Sequence, residues 1–225
     1  MDVHGVLTNR PVEYPESDGK PMAESDAHRD EMQRFGIEVL ADHFAGRGDV
    51  YVSGNNFVYY RRGDPRGVVS PDVYVVRGVP QRLRPTFKVW EEGGARPCFA
   101  LEVTSHTTRE NDLGEKMMRY RDDLRVAEYF LFDLTGDWIP EHLRAYRLEG
   151  GEYRRLTPGD GGRVMSEQLG LELARVDGHL RFYLPGAALP LPNRAERAAR
   201  AQAEAARAQA ENEALRAELE RLRGE

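Results

Sequence analysis

Asp72, Glu102 and Lys116 are the residues whose types and order suit chemistry on a phosphate. Asp72 stands in Val68-Val69-Ser70-Pro71-Asp72-Val73-Tyr74-Val75-Val76, and Glu102 in Cys98-Phe99-Ala100-Leu101-Glu102-Val103-Thr104. Segments this rich in Val, Phe and Leu are expected inside a sheet, where an isolated ionised carboxylate costs several kcal/mol unless it is paired or binds a cation. Residues 77–97, rich in Gly, Pro and Arg, return the chain. The two segments are therefore expected to pair antiparallel, with both carboxylates on neighbouring backbones. Oxygens so placed can share one hard cation: Mg2+ takes oxygen ligands at about 2.0–2.1 Å, keeps several waters and turns one of them into a nucleophile. With a lysine nearby, the trio is the set a metal-dependent nuclease needs. Taken singly, each residue also fits an ordinary reading, as an exposed or Arg-paired strand-end carboxylate or as a solvent-facing helix lysine.

The elements that must position these groups follow from pattern. Asp112 with Glu115 three residues later reads as a helix N-cap, and Leu113, Met117, Tyr120 and Leu124 mark the buried stripe of the helix that carries Lys116. The lysine then lies at the edge of that stripe, its stem buried and its ammonium able to reach the strand ends. Upstream, Ser25 or Asp26 caps a helix with the stripe Met32, Phe35, Val39, Leu40 and Phe44, ended by Gly46 and Gly48. Tyr51-Val52 and Phe57-Val58-Tyr59-Tyr60 read as strands meeting near Gly54-Asn55-Asn56. Downstream, Glu128 to Asp133 is a strand, Leu143 to Leu156 a hairpin about Gly150-Gly151, and Leu180 to Leu184 a late short strand. Interleaved helices and strands predict an α/β or α+β fold. From the first helix, Glu24, His28 and Glu31 are candidate additions to the site. A helix-start acid also serves as a dipole partner, and a histidine there as a surface residue.

At this point the residues carry a resemblance. Pro71-Asp72, Glu102-Val103-Thr104-Ser105, Lys116, Tyr120 and Val126-Ala127-Glu128-Tyr129-Phe130-Leu131-Phe132-Asp133, in that order, resemble the Uma-type restriction-endonuclease family within the PD-(D/E)XK nuclease superfamily. The likeness extends from Tyr14-Pro15 and Met22-Ala23-Glu24 through Trp90-Glu91-Glu92-Gly93 to Gly150-Gly151-Glu152-Tyr153. It implies a restriction-endonuclease-like mixed sheet flanked by helices, with Asp72 and Glu102 as ligands of Mg2+ or Mn2+. It also implies that Lys116 polarises the attacking water or the phosphate, that DNA is the substrate, and that Glu24 and His28 match the family's lead-in. The chain departs from the superfamily at one position, where Thr104 stands in place of the lysine two residues after the glutamate.

Composition frames this reading. A chain of 225 residues, 40% hydrophobic, can bury one sizeable core. The expected organisation is an extended lead-in over 1–24, a nuclease-like domain over 25–192 and a tail over 193–225. Cys98 is the only cysteine, no run of eighteen apolar residues occurs, and the N-terminus lacks an apolar signal core, so a cytoplasmic protein with no membrane association is expected. The formal charge is −6, and the acidity is concentrated in residues 1–31, with eight acids and three bases. Arg61, Arg62, Arg66, Arg77, Arg82, Arg84, Lys88 and Arg96 bracket the Asp72 segment, where they suit either phosphate contacts or solvated loops. Six histidines without a His-Glu-x-x-His or cysteine pair argue against zinc, and no Gly-x-Gly-x-x-Gly, phosphate loop or Gly-x-Ser-x-Gly elbow occurs. Two carboxylates also occur in glycosidases, but a neighbouring lysine fits metal binding better.

The tail reads as four heptads, with Ala198, Ala205, Asn212 and Leu219 at a and Ala201, Ala208, Leu215 and Leu222 at d. Glu211 with Arg216, and Glu218 with Arg223, supply g-to-e pairs of opposite sign, and Asn212 at a favours two parallel strands. A homodimer through a C-terminal coiled coil is expected; a solitary Ala-rich helix is the competing form. Two other classes of function stay open, a catalytically inactive nuclease-fold binding module and a coiled-coil scaffold.

Overall fold

The computed structural model describes residues 12–17, 25–104 and 108–224. The chain forms a mixed α/β fold with multi-stranded sheets and a long C-terminal helix. Its strands are β1 Val50–Ser53, β2 Phe57–Tyr59, β3 Val68–Val69, β4 Val73–Arg77, β5 Thr86–Lys88 and β6 Pro97–Thr104. These are followed by β7 Glu128–Asp133, β8 Leu143–Glu149, β9 Glu152–Arg155, β10 Val164–Ser166, β11 Leu171–Val176 and β12 His179–Tyr183. The main sheet runs β1-β4-β6-β7-β8-β9; β10-β11-β12 and β3-β2-β5 form two smaller sheets. In the main sheet β4 and β6 pair antiparallel, as their sequences predict, while β6 and β7 pair parallel across the helical connection between them.

Strand alternation sorts the core into two layers. On one face of the main sheet Val73, Val75, Phe99, Leu101, Val103, Phe130 and Phe132 pack against the first helix and β10–β12. On the other, Tyr74, Val76, Ala100, Tyr129 and Leu131 pack with Tyr120, Leu124 and the small β2-β3-β5 sheet. Both main-sheet faces are covered, which is why its central strands read as continuous apolar runs instead of alternating ones.

The first helix runs Asp26–Asp30, passes through a π-helical stretch Glu31–Ile37 and ends as Glu38–His43. Ser25 caps it, its hydroxyl accepting from the His28 N–H at 3.1 Å. Met32, Val39, Leu40 and Phe44 are buried as their spacing predicts. Glu31, a site candidate by sequence, is instead a structural acceptor: its carboxylate takes Leu180 N at 2.6 Å and pairs with His179 Nδ1 at 2.9 Å. β1 and β2 do not pair with each other. β1 joins β4 in the main sheet and β2 joins β3 and β5, because the turn between them packs against the β4 entrance.

The Arg-rich loops are largely consumed internally. Arg61 pairs with Asp123, Arg82 and Arg84 with Glu92, Lys88 with Glu91, and Arg77 and Arg96 donate to the carbonyls of Gln168 and Asp123. Arg84 also lies over the Tyr51 ring at 4.3 Å. Hydrogen bonds from Arg84 hold the Glu92 carboxyl down at about 2, assisted by Arg82 and opposed by burial. An acid whose folded value is depressed contributes stability that is full above its unfolded value and is lost as pH falls through the folded one. Glu92→Gln is therefore expected to cost roughly 2–3 kcal/mol near neutral pH and almost nothing near pH 2, as read by urea unfolding across that window.

The long helix Arg194–Arg223 starts at a capping box formed by Asn193 and Glu196. Glu196 also pairs with Arg181, and Arg194 and Arg197 pair with Asp42, so the first turns are bolted to the body. Beyond them the helix stands in solvent, with Leu215, Leu219 and Leu222 exposed. No helix among the described residues is long and apolar enough to cross a membrane.

Candidate active site

Asp72 lies in the bend that enters β4, one residue before the strand, and not within a strand as its apolar surroundings predict. Gly54 fixes that bend. A Cβ at Gly54 would stand 2.0 Å from the Asp72 carbonyl oxygen, so only glycine permits the approach, and the next residue, Asn55, donates its N–H to Pro71 O at 2.7 Å. The β4–β6 register pairs Val73 with Leu101 and Tyr74 with Ala100. Continued by one residue it sets Asp72 opposite Glu102, and alternation places both on the sheet face that carries Tyr74 and Ala100. The Asp72 carboxylate then closes the end of the ladder. Its Oδ2 accepts the Val103 N–H at 2.8 Å and contacts His28 Nε2 at 3.3 Å.

The helix after β6 does not begin at Asp112. It runs Arg109–Leu113, breaks at Gly114, resumes as Glu115–Met118 and continues in a π-helical stretch Arg119–Leu124. Gly114 sits at φ −116°, ψ −106°, and a Cβ there would meet Glu110 O at 2.6 Å, so the break depends on glycine. Asp112 consequently points inward instead of capping, while Leu113, expected in the buried stripe, is exposed. Asp112, Lys116 and Tyr120, four residues apart, project toward the end of β6.

There they meet Glu102, whose side chain is 1% exposed. Lys116 Nζ donates to Glu102 Oε2 at 2.5 Å and the Tyr120 hydroxyl to Oε1 at 2.6 Å. Lys116 Nζ also stands 3.6 Å from Asp112 Oδ1. Thus the lysine reaches the strand ends from a helix, as the sequence suggests, and the structure brings Asp72, Glu102, Lys116 and His28 together. Glu24 and Ser105 lie outside the described residues. Sequence reasoning missed Asp112 and Tyr120 as site residues, although the spacing of four that they share with Lys116 is a visible sign of one helix face.

The electrostatics follow from three carboxylates around one ammonium. Burial pushes Glu102 well above the usual carboxylate range; Lys116 opposes this, while Asp72 and Asp112 add to it. Burial likewise raises Asp112, against the pull of Lys116. Burial opposes the charge of Lys116 too, but Glu102, Asp72 and Asp112 outweigh it and hold the ammonium protonated above its ordinary value. Asp72 is the exception among the acids: burial raises it, but the His28 hydrogen bond and the charge of Lys116 bring it below its ordinary value.

Burial disfavours ionisation of Glu102 and Asp112, and a divalent cation held there would oppose that effect and let three carboxylates stand ionised around one ammonium. Every donor is a hard oxygen, and Asp112 Oδ1 and the nearby Thr104 hydroxyl are buried without a hydrogen-bond partner among the described residues. No three His, Cys, Asp or Glu side chains among the described residues cage a metal by themselves. Two carboxylates supplemented by water match the habit of Mg2+. The donor set therefore fits a hydrated hard cation.

A cleft of about 580 Å³ opens beside the cluster, with Ser70, Asn111, Lys116 and Arg119 in its wall and Arg66 at its edge. Arg66 is the one member of the loop cluster named from sequence that lines this cleft; its side chain is 90% exposed and pairs with Asp64. Lead-in residues Glu13, Pro15 and Ser17 form another side, held by a Tyr59 hydroxyl bond to Pro15 O at 2.6 Å and by Tyr14 packed between Tyr59 and Trp90.

No curated protein matches the chain. Among solved structures, a protein from Anabaena variabilis ATCC 29413 described as "a putative nuclease belonging to DUF820" superposes with a TM-score of 0.45 at 15% identity, covering 67% of this chain and 76% of that one. The sequence model of the Uma2 family, described as "Putative restriction endonuclease", matches residues 7–179, and the chain belongs to that family.

Proposed function

We propose that the chain is a divalent-cation-dependent DNA endonuclease. The observation that carries this reading is the convergence of Asp72, Glu102 and Lys116 at the sheet end beside an open cleft. Asp72 and Glu102 would hold the cation, which when bound supplies an acidified water and neutralises charge on the phosphate. The remaining work falls to the chain's own groups. Val103 N–H and His28 aim the Asp72 carboxylate, and the Tyr120 hydroxyl aims that of Glu102. Lys116 keeps a protonated ammonium at the cleft wall, placed to hydrogen-bond a phosphate oxygen as negative charge builds there. Arg66, paired with Asp64, and Arg119, paired with Glu115, are the cleft's other cationic groups and would exchange those partners to meet flanking phosphates. Hydrolysis joins the water oxygen to phosphorus, breaks the bond to one ester oxygen and returns a proton to that leaving oxygen. Incubating the full chain with supercoiled plasmid tests the reading: nicked or linear product is expected with Mg2+ or Mn2+ and none in excess chelator, and cleavage indifferent to the chelator contradicts it.

The tail supports a homodimer within the same proposal. The exposed Leu215, Leu219 and Leu222 leave an apolar seam in water, and pairing two copies would cover it. Truncation after Arg200 leaves the capping box and the Asp42 pairs intact. Removing residues 201–225 is expected to halve the sedimenting mass at about ten micromolar and to shift plasmid products from linear toward nicked circles. A full-length chain that sediments as a monomer there excludes the dimer.

A further inference from the structure

Lys116 occupies an oxygen that a bound cation needs. Its ammonium sits on Glu102 Oε2 at 2.5 Å, and a divalent cation on that carboxylate would repel it. The Lys116 side chain is only 14% exposed, so an ammonium displaced from Glu102 needs another acceptor close by or must turn out into the cleft. One acceptor is at hand. Asp112 is buried, its Oδ1 has no hydrogen-bond partner among the described residues, and that oxygen lies 3.6 Å from Lys116 Nζ. A buried carboxylate oxygen without a donor is costly, which makes its retention beside a lysine notable. The Asp112 backbone is firmly held, with its N–H on Thr108 O at 2.9 Å and its carbonyl accepting the Tyr129 hydroxyl at 2.8 Å. Less than about 1 Å of travel by the ammonium turns the present contact into a charge-assisted hydrogen bond.

We propose that Asp112 is the second seat of Lys116. The ammonium passes from Glu102 to Asp112 as a divalent cation takes the Glu102 oxygens, and so stays charged at the cleft wall without competing for the ligand. Asp112 is on this account a positioning residue, acting through Lys116 and not as a ligand. The inference rests on the cation-dependent reading above.

The test is Mn2+ binding by calorimetry, without DNA, to the full chain and to Asp112→Asn, Lys116→Met and the double variant. In the presence of Lys116, Asp112→Asn strands the ammonium on Glu102 and weakens Mn2+ binding. With Lys116→Met no ammonium competes, so the same substitution removes only the direct attraction of one distant charge. The affinity loss from Asp112→Asn is expected to be roughly tenfold larger with Lys116 than without it. Equal losses in both backgrounds overturn the proposal while leaving the cation site intact, and absence of Mn2+ binding by the unaltered chain overturns both. If Asp112→Asn does not fold, a crystal of the unaltered chain soaked in Mn2+ decides. Lys116 Nζ within hydrogen-bond distance of Asp112 Oδ1 and off Glu102 supports the exchange; an ammonium still on Glu102 beside bound Mn2+ overturns it.

Discussion

Lys116→Met is expected to reduce DNA cleavage by about 10²–10³-fold, the usual consequence of removing one preorganised donor from a developing oxyanion. The loss should fall on turnover, since the lysine is not a ligand, and Mn2+ affinity should hold or rise once the ammonium no longer sits on Glu102. Folding survives because Glu102 can take up a proton in place of its lost partner; burial already favours its neutral form. The sign of the pH dependence follows. An acid whose folded value lies above its unfolded one contributes stability at low pH and loses it as pH rises. Lys116→Met should therefore lose stability more steeply than the unaltered chain as pH is raised from the acid side of the usual carboxylate range to well above it. Urea midpoints at the two ends check this, and a flat difference contradicts the buried pairing of Lys116 with Glu102.

Glu102→Ala is expected to have the larger structural effect. It removes the acceptor of both the Lys116 ammonium, part-buried at the cleft wall, and the buried Tyr120 hydroxyl. Breaking a buried pair by deleting one partner typically costs about 3–5 kcal/mol because the other charge is left behind. Asp112 offers the stranded ammonium a nearby acceptor, which places the expected loss toward the lower end, about 3 kcal/mol. Cleavage should be undetectable even at low temperature, where the fold is retained. Denaturation for the first effect and plasmid conversion for the second separate the two.

The contrast between these variants reflects what was legible in the sequence. Asp72 and Glu102 could be found because charge in an apolar run is conspicuous, and the intervening Gly-, Pro- and Arg-rich segment implied antiparallel pairing, which β4 and β6 adopt. Lys116 is singled out by its order after Asp72 and Glu102 and by the family resemblance, while helical spacing only puts it at the edge of a buried stripe. Asp112 was misread because Asp-x-x-Glu resembles a capping box; the break at Gly114, where the helix restarts, turned the aspartate inward. Tyr120 read as a core residue, and it is buried, but its hydroxyl serves Glu102. Partner choice among strands was the least legible feature. Nothing local tells β2 to leave β1 for β3 and β5; that split depends on Gly54 packing against the Asp72 carbonyl, a contact between distant segments. The β10-β11-β12 sheet was seen only at its last strand, since β10 has three residues and β11, Leu171–Val176, interrupts its apolar run with Glu172 and Arg175. Loop arginines also mislead: side chains that suggest a nucleic-acid track mostly bind Asp123, Glu91, Glu92 and backbone carbonyls.

Asp72→Asn is the most direct probe of the site. Asparagine keeps the shape and can still accept from Val103 N–H, so the bend into β4 and the His28 contact survive while one ligand charge disappears. Conversion of supercoiled plasmid in Mg2+ is the measurement, made on Asp72→Asn and the unaltered chain at matched unfolding midpoints. The account predicts that the unaltered chain cleaves and that Asp72→Asn leaves the plasmid supercoiled; equal cleavage by both would remove Asp72, and with it the proposed cation site, from the chemistry.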